Sequence, residues 1–118
     1  MQRKRKKTIK QFENKIICGD ILKSLKEIPS GKIDLVFADP PFNLNKKYSA
    51  SGDKKSTIEY LNWCYDWIDE CIRILKPTGT LLLHNIPKWL VYFANHLNEQ
   101  EMVFKHWIAW DAPGTPLG

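Results

Sequence analysis

The stretch Ile33-Asp34-Leu35-Val36-Phe37-Ala38-Asp39-Pro40-Pro41-Phe42 decides the fold of this chain. Its first six residues are apolar apart from Asp34, a pattern typical of a parallel strand that helices cover on both faces. The strand then enters an acidic turn whose two prolines fix φ, and the turn ends on an aromatic ring. We interpret this arrangement as a turn that holds a flat nitrogenous base by its amino group.

The chemistry of such a turn follows from the groups it offers. The lone pair of an exocyclic amine is delocalised into the base, so the nitrogen becomes a better nucleophile when both of its N–H groups donate hydrogen bonds. Asp39 offers a carboxylate acceptor, and Pro40 offers a carbonyl but no N–H group. Phe42 offers a face for stacking on the base. The plainer alternative is a structural turn with a capping carboxylate, because Asp and Pro are common turn formers.

The rest of the chain alternates between strand and helix patterns. Lys15–Cys18 is a predicted strand, stopped by Gly19-Asp20, and it forms a βαβ unit with a helix from Ile21 to Ile28 and the strand Ile33–Ala38. The elements predicted further along are a helix over Thr57–Leu75 that Ser56 or Thr57 caps, a strand over Thr80–His84, a helix opened by Pro87 and a strand over Met102–Trp110. The predicted inner faces of the two later helices are Leu61, Cys64, Tyr65, Ile68, Cys71, Ile72 and Leu75, and then Leu90, Val91, Phe93, Ala94 and Leu97.

This alternation predicts an α/β fold with about four strands in a mostly parallel sheet. Ligands of such sheets bind beyond the carboxyl ends of the strands, so Gly19-Asp20 and Asp39-Pro40-Pro41-Phe42 should open onto one edge.

Composition favours one globular domain with a charged tail. Of 118 residues, 43% are apolar, and the sequence predicts neither a membrane span nor a signal peptide. Six of the 18 basic residues lie within the first ten positions, which leaves 12 basic against 13 acidic residues in the rest. We therefore predict a basic tail over residues 1–14, either solvated or attracted to phosphates, and a domain over residues 15–118. The three cysteines fit no zinc spacing and indicate thiols buried in a reducing cytoplasm.

Polar residues outside the proline turn are further candidates for the site. Asn43 to Ser56 is a predicted long polar loop, and its lysines are either solvated or in contact with phosphates: Lys46, Lys47, Lys54 and Lys55. His84 and Asn85 follow a predicted strand and could reach the site, although a cap of the Pro87 helix is the better interpretation for Asn85. His96 and His106 are isolated in the sequence, so we expect them at the surface or at an interface and expect no metal.

Three segments together resemble a known enzyme family. Asp39-Pro40-Pro41-Phe42, the upstream run Ile16–Leu22 and the junction Leu75–Leu81 are similar to motifs of the β-class amino-group DNA methyltransferases. The resemblance implies a Rossmann-like fold that uses S-adenosylmethionine and no metal, acts on double-stranded DNA and extrudes the target base. It implies catalytic roles for Asp39, Pro40, Pro41 and Phe42 and cofactor contacts for Gly19, Asp20, Ile21 and Asp39. Adenine N6 is the expected target, with cytosine N4 the alternative.

The family's Gly-x-Gly cofactor loop has no counterpart here, since no two of the six glycines are so spaced. The sequence therefore resembles the N-terminal part of the catalytic domain, an incomplete fold that we expect to be marginally stable and inactive as an isolated chain. A separately encoded C-terminal part or a restriction endonuclease are the expected protein partners. A non-catalytic DNA-binding remnant, and a methyltransferase acting on RNA or protein, are the rival interpretations.

Overall fold

The computed structural model describes residues 6–44 and 55–114. The lysines Lys46, Lys47 and Lys54, most of the predicted loop and the first five residues of the basic tail lie outside these ranges. Within them, three α-helices and one short sheet pack in a single layered arrangement.

The sheet has two parallel strands in the described ranges, β1 (Ile33–Ala38) and β2 (Leu75–Leu83). Leu35 pairs with Thr80 and Ala38 pairs with Leu83, and an irregularity separates the first of these pairs from Ile33, which lies opposite Leu75. The parallel unit is therefore formed by β1, β2 and the helix between them.

Two of the four predicted strands are wrong in this structure. Neither Lys15–Cys18 nor Met102–Trp110 has regular secondary structure. A segment becomes a strand only when a neighbour accepts and donates its backbone hydrogen bonds. No such neighbour lies beside either segment among the described residues, and their apolar side chains, such as Ile16 and Ile108, are exposed.

The three helices are α1 (Ile21–Glu27), α2 (Thr57–Ile74) and α3 (Pro87–Asn98). Ser56 caps α2 and accepts a hydrogen bond from the Glu59 N–H, while the Ser56 N–H donates back to the Glu59 carboxylate. This backbone hydrogen bond is the main reason that the pKa of Glu59 lies below its usual value. Pro87 opens α3 as predicted, because a proline in the first helical position loses no intrahelical hydrogen bond.

The core lies between α2, its neighbouring helices and one face of the sheet. Most of the predicted inner face of α2 is confirmed, since Leu61, Cys64, Ile68 and Cys71 are buried and Tyr65 and Ile72 are partly buried against the core. Leu75 is buried too but begins β2, and Trp67, outside the predicted face, is buried as well. For α3 the prediction is partly wrong, because Val91 is 57% exposed whereas Trp89 is buried. The helix is rotated so that the large indole, rather than the smaller valine, enters the core.

One face of the sheet is left uncovered by the residues that the structure describes. Val36 and Ala38 point into the core, and the alternate residues Leu35 and Phe37 are 56% and 61% exposed. The described residues thus form one helical layer on one side of a short parallel sheet. The described part contains no helix that is long and apolar enough to span a membrane.

Candidate active site at the strand ends

Asp39 and His84 lie side by side because the two strands end in register. The Ala38–Leu83 pair is the last of the sheet, and the His84 N–H donates to the Ala38 carbonyl at 2.9 Å. The imidazole Nδ1 of His84 then lies 2.9 Å from Oδ1 of Asp39. In the imidazole tautomer with hydrogen on Nδ1, this contact is a hydrogen bond that Nδ1–H donates to the carboxylate oxygen. The Asp39 side chain is 57% exposed, so a substrate can reach it.

The proline turn is anchored from behind by two aromatic side chains of the helices. The Tyr60 hydroxyl of α2 donates to the Pro41 carbonyl at 2.5 Å, and the Trp89 indole Nε1 of α3 donates to the Phe42 carbonyl at 2.7 Å. Both side chains are buried. For the preceding carbonyl, that of Pro40, the described residues provide no donor. The acceptor that the sequence assigns to the amine is thus left for a ligand.

Asn85 supports this anchor and does not cap α3. Its buried amide Nδ2 donates to the Tyr60 hydroxyl at 2.9 Å, and its Oδ1 accepts from the Ile86 N–H at 2.8 Å. The cap position belongs to Ile86, so the predicted capping role of Asn85 is wrong. The Asn85 amide completes a hydrogen-bonded chain from β2 through α2 to the turn.

Aromatic rings surround the imidazole of His84. The half-buried Phe42 ring meets it edge-on, with ring centroids 5.3 Å apart, and the Trp110 ring lies 5.4 Å away. Trp110 is 73% exposed. The strand ends therefore present a carboxylate, an imidazole and aromatic faces together.

Asn43 bridges the two ends of the polar loop that follows the turn. Its side-chain amide donates to the Lys55 carbonyl and accepts from the Lys55 N–H, at 2.9 and 2.8 Å. Asn43 adopts a left-handed φ of 56°, which asparagine tolerates better than most residues. The two ends of the polar loop are thus held together next to the site.

Gly19, Asp20 and Ile21 lie where the chain enters α1. Gly19 has a φ of 153°, which side-chain-bearing residues rarely adopt, although no atom lies within 4 Å of the position of an added Cβ. Asp20 caps α1, with Oδ1 accepting from the Lys23 N–H at 3.0 Å. Among the described residues, no hydrogen bond or ion pair links this group to Asp39.

The sequence interpretation did not assign Tyr60 and Trp89 to the site. Both are large aromatic residues with a polar tip on the inner face of a helix. A buried tyrosine or tryptophan of this kind usually donates its polar hydrogen to a partner. That rule signals a buried acceptor near α2 and α3, but only the folded structure identifies it as the proline turn.

The other histidine pair lies apart from the turn. His96 Nε2 is 2.6 Å from Asp69 Oδ1, and its ring stacks on Tyr65 with centroids 4.3 Å apart. Among the described residues, no group of three or more histidine, cysteine or acidic side chains could hold a metal ion.

The Asp-Pro-Pro-Phe turn at the end of a parallel strand resembles the motif of the amino-group methyltransferases, and sequence comparison agrees at the level of the family. The sequence model of the N6/N4 methyltransferase family, described as DNA methylase, matches residues 33–118. The chain belongs to this DNA methylase family.

Three relatives illustrate the match. The type II methyltransferase M.BamHI of Bacillus amyloliquefaciens is 49% identical over 105 residues, which cover 87% of this chain and 25% of that protein. The type II methyltransferase M.HpaI of Haemophilus parainfluenzae is 35% identical over 84% of this chain and 32% of its own length. The DNA adenine methyltransferase YhdJ of Escherichia coli is 39% identical over 59% of this chain and 24% of its own length. The chain thus spans about a quarter to a third of the length of these relatives.

Membership of this family implies S-adenosylmethionine, and the described residues fit only part of it. Asp20 has one carboxylate oxygen beyond the one that caps α1, and Ile21 is exposed. Among the described residues, the fit to this cofactor therefore rests on the exposed carboxylates of Asp20 and Asp39.

Proposed function

We propose that this chain carries the amine-holding half of a DNA methyltransferase site that methylates the exocyclic amine of a base extruded from the duplex. The observation that supports the proposal most is the difference between three successive carbonyls. Those of Pro41 and Phe42 accept hydrogen bonds from Tyr60 and Trp89, whereas that of Pro40 has no donor among the described residues. The helices thus hold the turn through two of its carbonyls, and the carbonyl of Pro40 stays available to accept a hydrogen bond from a ligand.

In this proposal the amine donates one N–H to the Asp39 carboxylate and the other to the Pro40 carbonyl. Both hydrogen bonds draw the nitrogen toward tetrahedral geometry and free its lone pair. Phe42 stacks on the base, which contributes about 1–3 kcal/mol. S-adenosylmethionine, when bound, would supply the methyl group, and Gly19, Asp20, Ile21 and Asp39 are the proposed contacts to it. The amine nitrogen would gain the methyl carbon as the carbon–sulfur bond of the bound sulfonium breaks and leaves a neutral thioether, and the nitrogen would then release one of its two hydrogens as a proton to solvent.

Adenine N6 is the proposed target, and cytosine N4 is the alternative. The aspartate in the first motif position favours adenine, and one relative is named a DNA adenine methyltransferase. Double-stranded DNA is the proposed substrate in a cytoplasmic restriction-modification setting, since other relatives are named type II methyltransferases. A restriction endonuclease and a polypeptide that supplies the rest of the cofactor site are the proposed partners, and residues 15–118 are proposed as part of the catalytic domain.

The proposal is tested by transfer of labelled methyl groups to DNA. The chain is assayed alone and joined to the portion of M.BamHI that the match leaves out, since the match covers 25% of that relative. We expect transfer by the joined protein and none after Asp39→Ala. Asp34→Ala removes an exposed carboxylate of the same strand that pairs with Lys76, and it should leave transfer unchanged. Transfer by the Asp39→Ala variant would refute the proposed role.

A further inference from the structure

The His84–Asp39 pair is built by the backbone rather than by chance approach of two surface side chains. The His84 N–H bond to the Ala38 carbonyl continues the ladder between β1 and β2 by one residue. The first side chains beyond the two parallel strands therefore lie next to each other, and their side chains meet at 2.9 Å. Any ligand held by Asp39 lies within reach of a histidine whose position the sheet fixes.

We propose that His84 is a positioning residue for methyl transfer: it holds Oδ1 of Asp39 so that Oδ2 faces the target amine. This inference rests on the proposed function and extends it to a residue outside the proline motif. His84 itself does not contact the amine in this account, and it acts through the Asp39 carboxylate.

The need for such a residue follows from the exposure of Asp39. Its side chain is 57% exposed, and no other hydrogen bond to it is made by the described residues. A carboxylate in water rotates about its Cβ–Cγ bond and exchanges its two oxygens between partners. The Nδ1–H bond to Oδ1 restricts that rotation and leaves Oδ2 as the unoccupied acceptor. Fixing a catalytic group in its productive orientation is worth a large factor in rate, because misplacement by about 1 Å can cost roughly 100-fold.

The imidazole is itself held in place. Phe42 meets the ring edge-on at 5.3 Å and Trp110 lies at 5.4 Å, so the ring is flanked by the aromatic residue that the motif assigns to base stacking. The side chain of His84 is one-third exposed, less than that of Asp39. The more buried member of the pair thus orients the more exposed one.

The chain contains a matched control for this pair. His96 and Asp69 form a second histidine–carboxylate contact, at 2.6 Å, with similar exposure of the carboxylate. Asp69 lies nine residues beyond Tyr60 along α2, about 13 Å away on the helix axis. Removing His96 therefore removes an equivalent contact far from the proline turn.

The first arm of the test is nuclear magnetic resonance of the 118-residue chain, and it needs no activity. Nitrogen-15 spectra of the imidazole should show hydrogen on Nδ1 of His84, and Asp39→Ala should abolish that preference. An unchanged tautomer balance after Asp39→Ala would overturn the proposal, because it would mean that the pair does not form.

The second arm measures methyl transfer in the joined protein. His84→Ala should lower kcat on the order of 10- to 100-fold with an unchanged KM for DNA. His84→Asn, whose amide can replace Nδ1–H, should restore most of the rate, and His96→Ala should have no effect. Wild-type kcat in His84→Ala, or failure of His84→Asn to restore the rate, would overturn the inference alone. Two other outcomes would refute the proposed function: methyl transfer that survives Asp39→Ala, and no transfer by the joined wild-type protein. Either outcome would also refute the positioning role of His84, because that role depends on the proposed function.

Discussion

At the scale of single residues, the Tyr60 hydroxyl has the clearest structural duty. It donates to the Pro41 carbonyl and accepts from the Asn85 amide, so one oxygen joins α2, β2 and the turn. Removing one partner of a buried hydrogen bond costs more free energy than the bond itself contributes, because the remaining polar group stays buried without water or a protein partner.

Tyr60→Phe tests this duty. We expect a loss of about 1–3 kcal/mol in the free energy of unfolding, since the Asn85 amide and the Pro41 carbonyl each lose a partner. Tyr65→Phe is the control, because the Tyr65 hydroxyl makes no hydrogen bond to the described residues and the variant keeps the ring that stacks on His96 and packs against the core. Denaturant unfolding measures both variants, and equal stability of the two would contradict the assigned role of Tyr60.

Burial also determines how reactive the cysteine thiols are. It raises the pKa of the Cys64 thiol and of the Cys71 thiol from 9.0 to about 11, whereas Cys18 is exposed. At pH 8 the two buried thiols are therefore neutral, and only the thiolate is nucleophilic. We expect a thiol reagent at pH 8 to modify Cys18 first and the other two only after unfolding, as mass spectrometry of the labelled protein would report.

The raised pKa values of the two buried thiols also make the stability of the fold depend on pH. Because the folded state raises these pKa values, it favours the neutral thiols, and this contribution is complete below about pH 9. It is lost as the pH rises from about 9 toward 11. Rapid labelling of all three cysteines in the folded protein at pH 8 would contradict both statements.

At the scale of elements, Arg73 ties α1 to α2. Its guanidinium donates to the Leu25 carbonyl, the Ile28 carbonyl and the Ser30 hydroxyl, and it pairs with Glu70 of its own helix. The carbonyls at the end of α1 have no partners within the helix, so these bonds close that end. The planar donor fork makes this possible, and lysine cannot copy it.

Arg73→Lys should therefore destabilise the protein by about 1–3 kcal/mol while keeping the charge. Lys76→Gln is the comparison, because the exposed Lys76–Asp34 pair should contribute less than about 1 kcal/mol. Thermal unfolding distinguishes them, and a Lys76 effect as large as the Arg73 effect would contradict this ranking.

The elements also show what the sequence can and cannot predict. Helix periodicity placed α2 within one residue and identified its buried face, because that signal is local to the segment. It did not predict the rotation of α3 that buries Trp89, since that depends on a carbonyl of the turn as acceptor. The strands predicted at Lys15–Cys18 and Met102–Trp110 failed because a strand depends on a neighbour, which propensity does not report.

The candidate site, too, could be predicted from the sequence only in part. The groups that contact a ligand, Asp39, Pro40 and Phe42, lie together in sequence and could be assigned from it. The groups that hold them come from 19 to 47 residues further along, as the hydrogen bonds of Tyr60 to Pro41 and of Trp89 to Phe42 illustrate. The sequence suggested that His84 reaches the site, and the structure defines its partner.

At the scale of the whole molecule, the sheet has one packed face and one exposed face. Leu35 and Phe37 lie on the exposed face, and contiguous apolar surface of this kind promotes association. The neighbouring Val36 faces the core, so alternate positions of one strand should respond oppositely to the same change.

Phe37→Thr should reduce self-association of the isolated chain and change its unfolding free energy by less than about 0.5 kcal/mol. Val36→Thr should instead destabilise the fold, because it places a hydroxyl in the core. Analytical ultracentrifugation and denaturant unfolding measure the two effects. Stronger destabilisation by Phe37→Thr than by Val36→Thr would mean that the exposed face is packed in solution.

The central claim is that the Asp39–Phe42 turn directs a methyl group to an exocyclic amine. The most direct measurement is mass spectrometry of nucleosides from DNA methylated by the joined protein. We predict N6-methyladenine, or N4-methylcytosine as the alternative, and neither product with Asp39→Ala. Methylation at a ring carbon, as in 5-methylcytosine, or an amine product that survives Asp39→Ala would contradict it.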